Sequence, residues 1–123
     1  MTKIEDFAFY GTSGHQYIFQ VYPIGTEFKD IGGVYIFTRR EMNSNGNVMH
    51  NLLYIGQTNS LPDRITRFHH KWEGIVRNGG NCVCVYSELN HPNRNTIEND
   101  LIHNYQPPLN RFKNEKVHKT LLG

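Results

Sequence analysis

A chain of 123 residues, with 13 Lys and Arg against 11 Asp and Glu, has the size of one domain and is large enough to close a core without disulfide or metal staples. It has no apolar run of membrane-spanning length and no charged-then-apolar leader, so neither a span nor a signal peptide is expected and the cytoplasm is the expected location. The small net charge does not itself point to nucleic acid, but its distribution is uneven: residues 1–31 hold Lys3 and Lys29 against Glu5, Asp6, Glu27 and Asp30, while 111–119 hold Arg111, Lys113, Lys116 and Lys119 against Glu115.

In chain order, the opening segment closes on Gly11-Thr12-Ser13-Gly14, a flexible turn composition. Gln16 to Tyr22 is rich in aromatic and β-branched residues and stops at Pro23, which predicts a strand. Residues 1–32 therefore read as an N-terminal extension with one added strand. Gly33 to Arg39 and Asn51 to Gln57 predict two more strands, joined by a polar surface loop from Arg40 to His50 centred on Asn43-Ser44-Asn45-Gly46-Asn47. On the first, Tyr35, Phe37 and Arg39 share a face; on the second, Tyr54 shares one with Leu52 and Gly56. Whether the two tyrosines face the same side depends on a pairing register that spacing leaves open.

Ser60 as N-cap, Pro62 and Asp63 open a predicted helix whose apolar arc is Leu61, Ile65, Phe68, Trp72, Ile75 and Val76. Arg64, Arg67 and Lys71 make a cationic stripe beside that arc, which reads either as a solvated flank or as a phosphate-facing edge. Arg64 lies where the arc begins and is the one positioned to enter a concavity next to the sheet. His69 borders the arc on the side away from Arg64, and His70 faces solvent. After Asn78-Gly79-Gly80-Asn81, Cys82 to Ser87 predicts a strand apolar on both faces and therefore central. Cys82 and Cys84, about 6.6 Å apart along that strand, read as small core residues. A disulfide between them would be strained, and no Cys or His pairs have coupled zinc-ligand spacing.

His91-Pro92-Asn93 reads as a break before the last helix, and Pro107-Pro108 stops that helix. On it Ile97, Leu101, Ile102 and Tyr105 fall on one arc, with Glu98 inside the arc. A carboxylate there needs a cation, a metal or hydrogen-bond donors, because burying it unpaired costs several kcal/mol. The plain alternative is a capping box in which Glu98 reaches back to an Asn95 N-cap. Asp100, about 200° round the helix from Glu98, faces solvent. The order strand, strand, strand, helix, strand, helix predicts a small α+β domain whose mostly antiparallel sheet is flanked by helices.

The ordered set Gly33-Val34-Tyr35, Tyr54-Ile55-Gly56, Arg64, Glu98 and Pro107-Pro108-Leu109-Asn110 resembles the GIY-YIG nuclease family from Gly33 to Asn110, including the spacing of Leu61 and Arg64 after the second tripeptide. This chain departs from the family pattern in Val34 for the usual Ile, in a longer connection from Ile36 to Leu53, and in Gln57 where some relatives carry Lys. The resemblance divides the chain into the 1–32 extension, a 33–110 nuclease core and a basic 111–123 tail, all within one structural domain.

It implies a GIY-YIG endonuclease-like fold and a metal-dependent endonuclease that hydrolyses phosphodiester bonds in DNA. In that reading Glu98 is the single protein ligand of Mg²⁺ or Mn²⁺, hard ions that keep much of their hydration shell, and the Arg64 guanidinium meets the phosphate. One motif tyrosine activates the water; Tyr35 is the favoured one and Tyr54 positions, although a phenol titrating near 10 needs a cationic neighbour to do so. Gly56, Gln57, Arg67, His69, Lys71 and Asn110 support the site or bind nucleic acid, with Arg67, Lys71 and the tail making phosphate contacts that carry no sequence information. The expected partners are DNA and a separate targeting protein, with no membrane. The alternatives are a noncatalytic nucleic-acid-binding module of the same fold and a nuclease acting on RNA.

Overall fold

The computed structural model describes residues 2–110; the basic tail from 111 onward lies outside the described residues. The elements follow in the order β1 (Glu5–Tyr10), β2 (Gln16–Pro23), β3 (Gly33–Met42), β4 (Val48–Thr58), α1 (Leu61–Arg64), α2 (Trp72–Arg77), β5 (Cys82–Ser87) and α3 (His91–Tyr105). The strands form one antiparallel five-stranded sheet in the order β1-β2-β5-β3-β4. The fold is α+β. The run Val-Cys-Val-Tyr of β5 is apolar on both faces because β5 is the middle strand, covered on both sides.

Strand alternation sorts the core into two layers. On one face Phe9, Phe19, Val21, Val34, Ile36, Cys82 and Cys84 pack with Ile97 and Leu101 of α3. On the other Tyr35, Phe37, Val83 and Val85 pack with Leu53, Leu61, Ile65 and Ile75. Both cysteines are free and buried side by side on the α3 face, as small core residues.

Several features differ from what the sequence predicts. The extension holds two strands, not one: β1 pairs along its whole length with β2, from Glu5 opposite Val21 to Tyr10 opposite Gln16. The loop between β3 and β4 shrinks to residues 43–47, because Arg40 to Met42 pair with Val48 to His50. Asn43 closes this turn by accepting the amides of Asn45 and Asn47, both at 2.9 Å, and Gly46 supplies the positive φ of 81°.

The helix expected from Leu61 to Val76 is cut in two. Ile65 leaves helical geometry at φ −88°, ψ 77°, and the chain turns until α2 begins at Trp72. The turn sends Phe68 outward, 81 % exposed, and brings His69 inward, 6 % exposed. Exposing Phe68 forgoes roughly 1.5–3 kcal/mol of apolar burial, and what takes the inner position is a polar ring facing Tyr35. Ser60 is the residue before α1, but its hydroxyl donates to Asp30 (2.7 Å) and caps nothing.

At the last helix, His91-Pro92-Asn93 is the first turn rather than a break. Asn90 is the N-cap, accepting the Asn93 amide at 3.0 Å, and Pro92 occupies a first-turn position that needs no amide donor. The helix ends with Gln106 in the left-handed region (φ 44°), ahead of the two prolines. Asp100 does not simply face solvent: it accepts the Ser13 amide (2.9 Å), the Ser13 hydroxyl (2.6 Å) and the Tyr17 hydroxyl (2.8 Å), so it ties the β1–β2 turn to α3. Among the described residues no helix is long and apolar enough to cross a membrane.

Candidate active site

The register left open by the sequence places Tyr35 and Tyr54 on one face. Tyr35 lies opposite Gly56 and Phe37 opposite Tyr54; the pairing then shifts so that Thr38 meets Leu52, leaving Leu53 as a β-bulge. The bulge turns Leu52 to the α3 layer, so Leu52 does not share the face of Tyr54. The two phenol rings stand 6.2 Å apart. Gly56 lies against both: a Cβ there would come within 2.5 Å of the Tyr35 hydroxyl and 2.9 Å of Cε2 of Tyr54. Only glycine allows this approach.

The broken helix supplies the next wall. His69 Nδ1 accepts the Lys71 amide at 3.0 Å, so the ring proton belongs to Nε2, which donates to the Tyr35 hydroxyl at 2.8 Å. The ring is neutral near pH 7, since burial first, then the charges of His70, Arg64 and Lys71, push its pKa down to about 4. Tyr35 Oη therefore receives a hydrogen bond, and its own proton is left to point elsewhere. His70 stacks on His69 with centroids 4.4 Å apart and reaches the Tyr54 hydroxyl at 3.5 Å, so it is exposed yet belongs to the cluster.

Glu98 and Arg64 flank the tyrosines. Glu98 is half-buried on α3 and makes no hydrogen bond or ion pair with the described residues. Burial alone raises its carboxyl pKa. The capping-box reading falls, because Asn95 lies well inside α3 and its side chain accepts instead from Gln57 Nε2 at 3.1 Å. Arg64, the last residue of α1, is exposed and likewise has no hydrogen bond or ion pair with the described residues.

Both charges are felt by the phenols. Burial raises the pKa of Tyr35 strongly, with Tyr54 and Glu98 adding to the rise and Arg64 opposing it; burial and then Glu98 raise that of Tyr54, again opposed by Arg64. Both tyrosines are thus neutral hydroxyls with a carboxylate and a guanidinium near enough to bias them in opposite directions.

Around this centre Asn110 braces the site from beyond the Pro107-Pro108 stop. Its amide mimics a strand partner, accepting the Ile55 amide at 2.8 Å and donating to the Ile55 carbonyl at 3.0 Å. Gln57 links β4 to α3 through Asn95 and through Arg94, whose Nε donates to Gln57 Oε1 at 3.1 Å. The expected cationic stripe is not continuous, because Arg64 and Lys71 no longer share a helix. Arg67 is exposed over the Phe68 ring, 5.0 Å away, and lines a separate hollow with Gly25 to Phe28, while Lys71 precedes α2.

Two residues of this region carry more than the sequence suggests. His69 sits beyond a helix break that the apolar period hides, and its only advance sign is the adjacent pair His69-His70. Arg94 was visible in principle, since it precedes Ile97, Glu98 and Leu101 by three, four and seven residues and so lies on the same arc. Among the described residues no three His, Cys, Asp or Glu side chains gather as a metal cluster, and Glu98 is the carboxylate that flanks the tyrosines. Glu98 fits a divalent cation, because a hard oxygen donor, partly withdrawn from water and without a described partner, suits Mg²⁺ or Mn²⁺ with the remaining positions hydrated. Comparisons with protein-family models, with curated proteins and with solved structures find no match to this chain.

Proposed function

We propose that the chain is a divalent-metal-dependent endonuclease of the GIY-YIG type, cleaving phosphodiester bonds in DNA. The observation that carries this reading is the Glu98 carboxylate, half-buried on α3 and unpaired among the described residues, beside two tyrosines that share a sheet face. A charge kept in that state costs stability, and a cation at this point offsets the cost. The ordered motif residues from Gly33 to Asn110 support the same reading.

A divalent ion on Glu98 supplies Lewis acidity and stabilises the departing oxygen. Arg64, exposed at the end of α1 and unpaired among the described residues, takes the phosphate oxygens in its planar fork and opposes the charge that accumulates on them. Tyr35 acts as general base in its phenolate form: its hydroxyl proton passes first to solvent, and the phenolate oxygen then takes the proton of the attacking water. His69 assists it by holding a donated Nε2–H on the phenol oxygen, which favours phenolate against the burial that disfavours it. Tyr54, the more exposed ring, orients water or phosphate. Gly56 lets both rings close on the site, and Asn110 fixes the strand that carries Tyr54.

The deciding experiment incubates the full chain with supercoiled, branched and single-stranded DNA and with RNA, with and without Mg²⁺ or Mn²⁺. Cleavage of DNA only when metal is present is expected. Binding without cleavage under every condition means a noncatalytic nucleic-acid-binding module, and cleavage confined to RNA makes the chain a ribonuclease.

A further inference from the structure

Arg94 is the one arginine buried among the described residues, at 4 % exposure. Gly32 makes room for it: a Cβ at that position would lie 2.8 Å from Arg94 Nη1. Its Nε donates to Gln57 Oε1 at 3.1 Å, and Nη1 donates to the carbonyls of Glu88 (3.0 Å) and Leu89 (2.9 Å). All three acceptors are neutral, and no described carboxylate forms an ion pair with it. They fix the plane of the guanidinium without neutralising it. Nη2 has no hydrogen-bond partner among the described residues, where no fully buried side-chain nitrogen or oxygen lacks one, so Nη2 opens to solvent space.

That space is a cavity of about 430 Å³ lined by Gln57, Thr58, Asn59, Arg64, His91 and Arg94. It holds two guanidinium groups and an imidazole among neutral polar side chains, and no acid. A cation withdrawn from water and left uncompensated calls for an anion, and an oriented guanidinium with a free N–H edge matches phosphate oxygens. Arg64 is shared with the proposed reaction site, so the cavity adjoins it.

We propose that this cavity is a second phosphate subsite, in which Arg94 holds the nucleic-acid backbone phosphate next to the one under attack. The identity of the ligand rests on the nuclease reading; the anion site itself does not. The subsite fixes which way the strand runs past Glu98, which the exposed Arg64 alone cannot do.

The test is made on the full chain in EDTA, so that cleavage does not enter. The Arg94 Nε–H resonance is followed while a short DNA duplex, or inorganic phosphate alone, is added; movement with the duplex is expected. In parallel, Arg94→Gln is expected to lower the slope of log K against log salt for duplex binding by about one, the share of a single phosphate contact. A resonance that moves with phosphate and not with duplex overturns the backbone assignment. A resonance silent to both overturns the subsite, as does an unchanged salt slope in folded Arg94→Gln, which would leave Arg94 as a tether for Glu88 and Leu89. Should Arg94→Gln fail to fold, the wild-type resonance decides. A chain that binds duplex through a responsive Arg94 but never cleaves keeps the subsite and loses the nuclease.

Discussion

Two part-buried carboxylates in this molecule live in opposite circumstances. Glu5 on β1 accepts from Arg40 Nε (3.0 Å) and Nη2 (3.3 Å) and from His50 Nε2 (2.9 Å), while His50 Nδ1 meets Thr38 Oγ1 at 2.8 Å. The Arg40 bond leads the causes that hold the Glu5 pKa below the ordinary carboxylate value. Glu98 has no such partner among the described residues, and burial pushes its pKa the other way. The two differ both in pairing and in depth, Glu98 being the more deeply buried. Where distant strands deliver donors, as at Glu5, a part-buried charge knits structure together; at Glu98 no described residue supplies one.

The sharpest break of this comparison exchanges charge for amide at each site. Glu98→Gln is expected to abolish cleavage, since the proposed cation loses its protein ligand. The sign of its stability effect follows from the raised pKa: the unfolded state releases the Glu98 proton first, so the native carboxylate is a liability once pH rises through its folded value, and the amide removes it. Stability near neutral pH is therefore expected to hold or rise. Glu5→Gln should leave turnover intact and cost about 1–3 kcal/mol, as hydrogen bonds to charged groups are lost. Urea denaturation and cleavage assays on both variants check this; wild-type turnover in Glu98→Gln would remove the metal assignment.

Next in size come the phenols. Tyr35→Phe is expected to lose roughly 10²- to 10⁴-fold in single-turnover rate, the range for a missing general base, with Tyr54→Phe losing less. The reverse ranking exchanges their roles. If neither slows cleavage, both rings are packing residues and the proton leaves by another route.

Arg64→Lys keeps the charge and loses the planar fork, so a deficit of about 10²-fold in rate is expected, in line with removal of one preorganised donor. Arg67→Ala, facing the separate hollow beside residues 25–28, should weaken DNA binding in a salt-dependent way with little effect on turnover. Equal rate losses at both, with binding unchanged, would contradict this separation.

How much of this was legible follows from the range of the interactions involved. Arg64 and Glu98 could be picked out because residue type and local period mark them, Tyr35 and Tyr54 only through the resemblance to the GIY-YIG pattern, and β5 could be placed centrally because both its faces are apolar. The features that were not legible depend on residues far apart in sequence. β1 is a strand through its pairing with β2 and through the Glu5 bonds to Arg40 and His50, 35 and 45 residues away. The helix break from Ile65 to Lys71 defeats a good apolar period because His69 is drawn to Tyr35 across 34 residues. The bulge at Leu53, which decides whether Leu52 or Leu53 joins Tyr54, is a matter of register.

The smallest expected effect also separates the two regions, through His69. Its folded pKa of about 4 lies below the ordinary histidine value of 6.5, so as pH falls below 6.5 the unfolded chain takes up a proton that the native site refuses. The stabilising contribution is complete above 6.5, declines down to about 4, and changes no further below that. Linkage gives a loss of about 2 kcal/mol between about pH 7 and about pH 5 from this ring. Glu5 and Asp100, whose pKa values lie below the ordinary carboxylate range, exert their effect at lower pH. His69→Gln should be less stable than wild type at neutral pH, having lost the ring's packing and its bond to Tyr35, yet should lose about 2 kcal/mol less on acidification. The two proteins differ at this one ring, so the difference between the two pH profiles reports its removal. Parallel profiles would mean that His69 takes up its proton in the folded state, and the Nε2–H bond assigned to Tyr35 would then come from an imidazolium.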